Sequence, residues 1–219
     1  MIYSIKQLSE ISGINKITLR SWEERYGFLV AQRSDTNIRK YSTEQLLCAI
    51  NTSALLKEGL KISTIAKKSP AQINTLIESK FQSSDSCNEE IYISRIIQSA
   101  VLHKRDIFDT TIYKGFQHLG LVDFYSTVMF VSLQKIGLIW SVNSKVIDHE
   151  RFVFGLLQDK INDITNEIIT KKFSKDIWLL FVMAPYIFLD RDEGHFVSLN
   201  NTVGMVTEAS VDHEAKWSS

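Results

Sequence analysis

Apolar residues recur every three to four positions along most of the chain, and this spacing predicts a mainly α protein. Within the first 80 residues the pattern predicts helices over 4–12, 16–26, 43–58, 64–68 and 70–80. A serine stands three residues before a glutamine at three of the predicted helix starts, which is the spacing of a capping box. These pairs are Ser4 with Gln7, Ser42 with Gln45, and Ser69 with Gln72.

A polar segment, 82–86, follows these helices and is typical of a linker. Beyond it, amphipathic segments over 89–104, 107–119, 123–140 and 146–172 predict an antiparallel four-helix bundle. The apolar run 177–182 predicts a strand, and the pattern weakens after it. We therefore expect three parts, 1–80, a helical bundle over 87–172, and a short, incomplete α/β-like tail over 173–219 that is poorly ordered.

The charge of the chain is unevenly distributed, although Lys and Arg balance Asp and Glu overall. Residues 1–80 carry a net charge of +5, and the remainder carries −5. A basic module joined to an acidic one points to a polyanion as the partner of the first part.

Composition excludes several classes of protein. Two cysteines are too few for a disulfide framework or a four-ligand zinc site, and the N-terminus has no apolar signal core. The longest apolar run, 177–185, is too short to span a bilayer, so we expect a cytoplasmic protein without a membrane contact. No catalytic motif occurs and the five histidines are scattered, which predicts neither catalytic residues nor a metal site.

Two short helices joined by a glycine-containing turn, 13–15, predict a helix-turn-helix. The second helix would enter the major groove of DNA, with Trp22, Tyr26 and either Ile17 or Leu19 packed inward. Residues 30–41 would form a basic wing that contacts phosphates. The expected DNA-binding residues are Asn15, Lys16, Thr18, Arg20, Arg33, Arg39, Lys40 and Tyr41.

These segments resemble the N-terminal domain of MerR-type transcriptional regulators. The resemblance is carried by SIKQLS at 4–9, TLRSWEERYG at 18–27, RKYS at 39–42 and LKEG at 56–59. The stretch WEERYG looks most like the cobalamin-linked CarA/CarH/LitR branch. The resemblance implies a winged helix-turn-helix that binds operator DNA as a homodimer, with Thr18 and Arg20 on the recognition helix and Arg33, Arg39 and Tyr41 on the wing.

The bundle carries a weaker resemblance to the domain that covers the cofactor in cobalamin-dependent regulators. Trp140 and Glu150 stand at the expected spacing, but Arg151 replaces the histidine of that pattern. His195 lies in an incomplete version of the cobalt-ligating motif, with Ser198 in place of glycine. We therefore expect no cofactor, and leave cobalamin held by Trp140 and Glu150 as an alternative.

The favoured interpretation is a sequence-specific DNA-binding transcriptional regulator that acts as a dimer at promoter DNA. Two alternatives stay open. In one, the protein is a truncated interaction or antirepressor module that binds a paralogous regulator through the helical bundle. In the other, it is a cobalamin-sensing regulator.

Overall fold

A computed structural model describes residues 1–83, 88–120 and 123–141, single positions at 155, 156 and 159, and the backbone of 178–181 and 204–207. The chain divides into two compact units, Met1–Asp159 and Lys160–Ser219. The fold is mainly α, as the sequence predicted. The predicted boundaries of the three parts, 1–80, 87–172 and 173–219, stay predictions.

The first unit opens with a short strand and contains a small sheet among helices. Its elements are β1 (Ile2–Ser4), α1 (Ile5–Ser12), α2 (Lys16–Tyr26), β2 (Gln32–Arg33), β3 (Arg39–Ser42), α3 (Thr43–Lys57), α4 (Ile62–Ile65), α5 (Pro70–Ser83), α6 (Glu89–Leu102), α7 (Arg105–Leu119), a π-helical segment (Phe124–Met129) and α8 (Phe130–Ser141).

The predicted helix starts are confirmed by their caps. Ser4 and Ser42 each form a complete capping box, so α1 and α3 begin one residue after them. Ser69 also exchanges hydrogen bonds with Gln72, at 2.9 and 3.3 Å, directly before α5. Each box satisfies two backbone N–H groups that a helix start otherwise leaves free.

The sheet has the strand order β1-β3-β2 and is antiparallel. Tyr3 on β1 stands opposite Tyr41 on β3, and both side chains are almost fully buried. This pair ties the chain's start to the base of the β2–β3 hairpin, and α3 follows β3 without a break. The hairpin is therefore anchored to the core through its second strand.

Helix α6 is the central helix of the first unit. Residues 91–100 are buried without interruption, as expected of a helix that other helices surround. It packs against α3, α5, α7, the π-helical segment and α8. The helices after the predicted linker therefore share one hydrophobic core with those before it.

Polar contacts support the packing of α6. Arg95, with a side chain only 3% exposed, forms an ion pair with Glu78 of α5 and donates from Nε to Thr111 Oγ1 of α7 at 3.0 Å. Its guanidinium group also lies 3.8 Å from the ring centroid of Phe81. A buried cation without such partners would cost far more than its packing returns.

The second unit is described only as an antiparallel pair of strands, β4 (Trp178–Phe181) and β5 (Gly204–Thr207). The strand predicted over 177–182 corresponds to β4. The expected incomplete α/β-like tail stays a prediction. The helix predicted over 146–172 lies almost wholly outside the described residues, and His195 lies outside them.

Where the chain is described, no helix combines the length and apolar character that crossing a membrane requires. The same residues contain no group of three or more potential metal-ligating side chains.

Candidate nucleic-acid interface

The turn between α1 and α2 is fixed by local hydrogen bonds. Gly13 ends α1 in the left-handed conformation, with φ of 74°, and its N–H donates to Ser9 O at 2.9 Å. Asn15 then caps α2, because its Oδ1 accepts a hydrogen bond from the Ile17 backbone N–H at 2.9 Å. The sequence predicted Asn15 as a DNA contact, and the structure gives its side chain this capping position.

The faces of α2 are clearly divided. Leu19 and Trp22 are buried, which decides between Ile17 and Leu19 as the core residue. Lys16 and Arg20 are exposed, and Thr18 is half-buried. The side of α2 that faces away from the core therefore offers cationic and hydrogen-bonding groups.

The wing is the β2–β3 hairpin with its connecting turn at 34–38. Ser34 N–H donates to Ile38 O at 3.0 Å, and Asn37 takes a left-handed φ of 59° inside the turn. Arg33 Nη1 donates to Asn37 Oδ1 at 2.9 Å across the turn. Arg33 and Lys40 are exposed, so the wing offers two cations at the surface.

Glu23 joins α2 to the wing, and the sequence analysis did not single it out. Its Oε2 accepts a hydrogen bond from Arg39 Nε at 2.9 Å, and its Oε1 accepts one from the Ala31 backbone N–H at 3.3 Å. The hydrogen bond to Glu23 raises the pKa of Arg39. The pair joins residues 16 positions apart, so it became visible only in the structure.

Tyr41 occupies a different position from the other predicted contacts. Its side chain is 1% exposed and lies in the core opposite Tyr3. Burial raises the pKa of the Tyr41 phenol. The structure thus places Tyr41 at the base of the wing, and a contact between this residue and DNA stays a prediction.

The predicted cofactor residues are only half described. Trp140 lies in the last turn of α8 and packs, partly buried, against the hydrophobic core. Glu150 lies outside the described residues. Cobalamin bound by these two residues therefore stays an alternative.

Comparison with known proteins assigns the region that contains α1, α2 and the wing to a family. Residues 3–72 match the family model described as MerR HTH family regulatory protein. Over 65 residues, or 29% of the chain, the sequence is 38% identical to the HTH-type transcriptional repressor CarA of Myxococcus xanthus. Over 68 residues, or 31% of the chain, it is 32% identical to the repressor CarH of the same organism. The matched segment covers 23% of each repressor.

Proposed function

We propose that this chain, whose residues 3–72 are a MerR-family helix-turn-helix domain, is a sequence-specific DNA-binding transcriptional regulator that acts as a dimer at promoter DNA. The observation that carries the proposal is the division of α2 into a buried face and an exposed polar face, beside a wing with its own exposed cations. The names of the two Myxococcus repressors agree with it.

In this proposal, α2 and the wing have different tasks. Helix α2 lies in the major groove, where Arg20 and Thr18 reach base edges and Lys16 reaches a phosphate. Arg33 and Lys40 of the wing contact phosphates beside the groove, and those contacts hold the protein in register without reading sequence. The net charge of +5 on residues 1–80 favours the approach to DNA.

The helices after α5 hold two copies together or respond to an effector. Their packing around α6 continues the core of the DNA-binding elements, so a change in the bundle can move α3 and the elements attached to it. A dimer would place its two copies of α2 in successive turns of the major groove, on the same face of the duplex and about 34 Å apart.

The test is selection of bound duplexes from a random library by the purified full chain. We expect enrichment of a palindromic consensus, because a two-fold dimer reads two inverted half-sites. Arg20→Ala should weaken binding to the enriched duplex and relax the preference at one base position per half-site. Lys104→Ala, which removes an exposed cation from the bundle region, should bind as the wild type does. Failure to enrich any sequence, even at low salt, would refute sequence-specific binding.

A further inference from the structure

Ile17 is the most exposed large apolar side chain among the described residues, at 74%. Single exposed apolar residues are common on protein surfaces and by themselves require no explanation. The position of Ile17 is unusual because it lies on the helix that carries Lys16, Thr18 and Arg20. Lys16 and Arg20 on this helix are both exposed.

Helix geometry places Ile17 directly opposite the core. At about 100° per residue, Ile17 is about 200° from Leu19 and about 140° from Trp22, the two buried residues of α2. The mean of these angles is close to 180°, so Ile17 marks the outermost line of the helix. Arg20, three residues later, lies about one turn along on the same side.

The described part of the fold leaves the apolar surface of Ile17 largely uncovered. Leu19 fills the core position, and the Asn15 cap fixes the first turn through the backbone of Ile17, an interaction available to any residue other than proline. A side chain on the outermost line of a recognition helix is the first to meet the floor of the groove. The question is therefore which base edge suits a branched hydrocarbon.

We propose that Ile17 contacts the C5-methyl group of a thymine in the major groove and selects an A·T pair at that position. This inference rests on the proposed function. The thymine methyl is the apolar group on the major-groove base edges, whereas the other edges offer hydrogen-bond donors and acceptors. Ile17 would desolvate those polar edges without replacing their hydrogen bonds, so it favours thymine and disfavours the alternatives.

The test removes the methyl group from the DNA and the hydrocarbon from the protein, separately and together. Each thymine of the duplex enriched by the wild type is replaced in turn by deoxyuridine, which differs from thymidine only by that methyl group. We expect one position per half-site at which the replacement weakens wild-type binding about fourfold, the value of one buried methyl group. Ile17→Ala should bind the thymine duplex more weakly, and deoxyuridine at that position should weaken it no further.

Two controls keep the result specific. Ile17→Val keeps a branched side chain and should retain most of the response to deoxyuridine. Leu102→Ala removes an exposed aliphatic side chain from the end of α6 and should respond as the wild type does. Circular dichroism of each variant should be unchanged, because neither side chain is buried.

Three outcomes would overturn the inference while leaving the proposed function standing. The enriched consensus could lack a preferred thymine, every deoxyuridine duplex could bind as tightly as its parent, or deoxyuridine could weaken Ile17→Ala as much as the wild type. If the wild type enriches no duplex at all, the proposed function and the inference fail together.

Discussion

Glu23 on α2 accepts a hydrogen bond from Arg39 on β3, with Oε2 and Nε 2.9 Å apart. The two side chains are only 14% and 21% exposed, so this ion pair is shielded from water more than a surface pair is. Through it, the recognition helix and the wing hold each other in place. A DNA-binding surface made of two separate elements depends on such a connection, because both must meet the duplex at once.

Glu23→Ala should reduce both stability and DNA affinity. The variant leaves Arg39 and the Ala31 N–H without their acceptor, and loss of a charged hydrogen bond at a partly buried site costs about 1–2 kcal/mol. Urea denaturation measures the stability, and fluorescence anisotropy with the selected duplex measures the affinity. Glu24→Ala, which removes an exposed carboxylate from the next position on α2, is the control for the lost negative charge. Equal stability of the two variants would contradict the assigned role of Glu23.

Arg39→Ala separates positioning of the wing from contact with phosphate. If Arg39 also reaches a phosphate, as the sequence predicted, the slope of log K against log salt should become shallower by about 0.9 for each copy bound. If Arg39 acts only through Glu23, affinity falls while the slope stays constant. We expect the shallower slope, because the guanidinium group has further donors besides the Nε that Glu23 engages.

Arg33→Ala and Lys40→Ala should weaken binding to all duplexes alike. Both side chains are exposed on the wing. In the proposed complex they meet the phosphate backbone, whereas α2 reads the base edges. For each variant we expect the slope of log K against log salt to become shallower by about 0.9 per bound copy. The consensus should stay that of the wild type. Repeating the library selection with each variant provides the measurement. A changed consensus would mean that the wing reads bases.

Much of the helical part was predictable because its start and stop residues are local. The Ser–x–x–Gln pairs and Gly13 in the turn after α1 act within a few residues, and their effect is therefore visible in the sequence. The bounds of α2 were predicted fully for the same reason. For the candidate interface, the sequence predicted the elements α2 and the hairpin, since the exposed polar positions on α2 follow from its period. The DNA contacts of their residues stay predictions.

The features that the sequence analysis missed depend on contacts between distant residues. Strand β1 has three residues, too few to show alternation, and exists because Tyr3 pairs with Tyr41 across the sheet. The link from Glu23 to Arg39 spans 16 positions, and no local pattern distinguishes Glu23 from its exposed neighbour Glu24. A periodic pattern over 123–140 predicted one helix, whereas the structure has a π-helical segment, Phe124–Met129, before α8. The positions of the apolar residues did not distinguish the two.

Gly115→Ala should destabilise the protein. Gly115 is buried in α7, and a methyl group there would overlap the ring of Phe124, which is itself fully buried. Phe124 is also confined by the ring of Phe116, whose centroid is 5.0 Å away, so it has little room to move. We expect a loss of about 1–3 kcal/mol in the free energy of unfolding, measured in urea.

Gly155→Ala is the matched control for that substitution. Gly155 is helical and exposed, and an added methyl group would meet nothing within 4 Å. The control should be neutral or gain about 0.5–1 kcal/mol, as alanine favours the helix. A Gly115→Ala variant as stable as this control would show that the contact between α7 and Phe124 relaxes freely.

Cys48 should be nearly inert to thiol reagents in the folded protein. The side chain is buried in α3, and burial raises the pKa of the thiol from 9.0 to about 11. Only about one thiol in a thousand is ionised at pH 8, and the thiolate is the reactive form. The test uses Cys87→Ser, which leaves Cys48 as the single cysteine of the chain. Reaction with a chromogenic disulfide at pH 8 should be slow without urea and prompt with it.

The same pKa has a consequence for stability at high pH. Between about pH 9 and 11 the unfolded thiol ionises while the folded one stays protonated, so the folded state binds more protons. Stability contributed by the protonated thiol is therefore complete below pH 9 and declines as the pH rises toward 11. Cys48→Ala, compared with its parent across this range, should show a weaker decline. Parallel profiles would contradict the raised pKa.

Glu90→Gln should weaken the connection between α3, α6 and α8. Glu90 of α6 forms an ion pair with Lys57 of α3, and its Oε2 lies 3.8 Å from Lys135 Nζ of α8. Burial lowers the pKa of Lys135, and Lys57 lowers it further, while Glu90 opposes both effects. Without the carboxylate, two cations face each other, one of them only 15% exposed. We expect a loss of about 1–2 kcal/mol at pH 7, more than for the exposed neighbour variant Glu89→Gln.

The dependence of this loss on pH identifies its cause. A lysine whose folded pKa is lowered binds fewer protons than its unfolded form just below pH 10.5, so stability rises with pH through that window. In Glu90→Gln the pKa of Lys135 falls further, so the rise of stability with pH begins at a lower pH than in the wild type. The stability gap to the wild type should therefore narrow from pH 7 to pH 10, as Lys135 loses its charge. The ionisation of Cys48 affects both proteins equally and cancels in the difference. A gap that stays constant with pH would assign the loss to the missing hydrogen bond rather than to repulsion between Lys57 and Lys135.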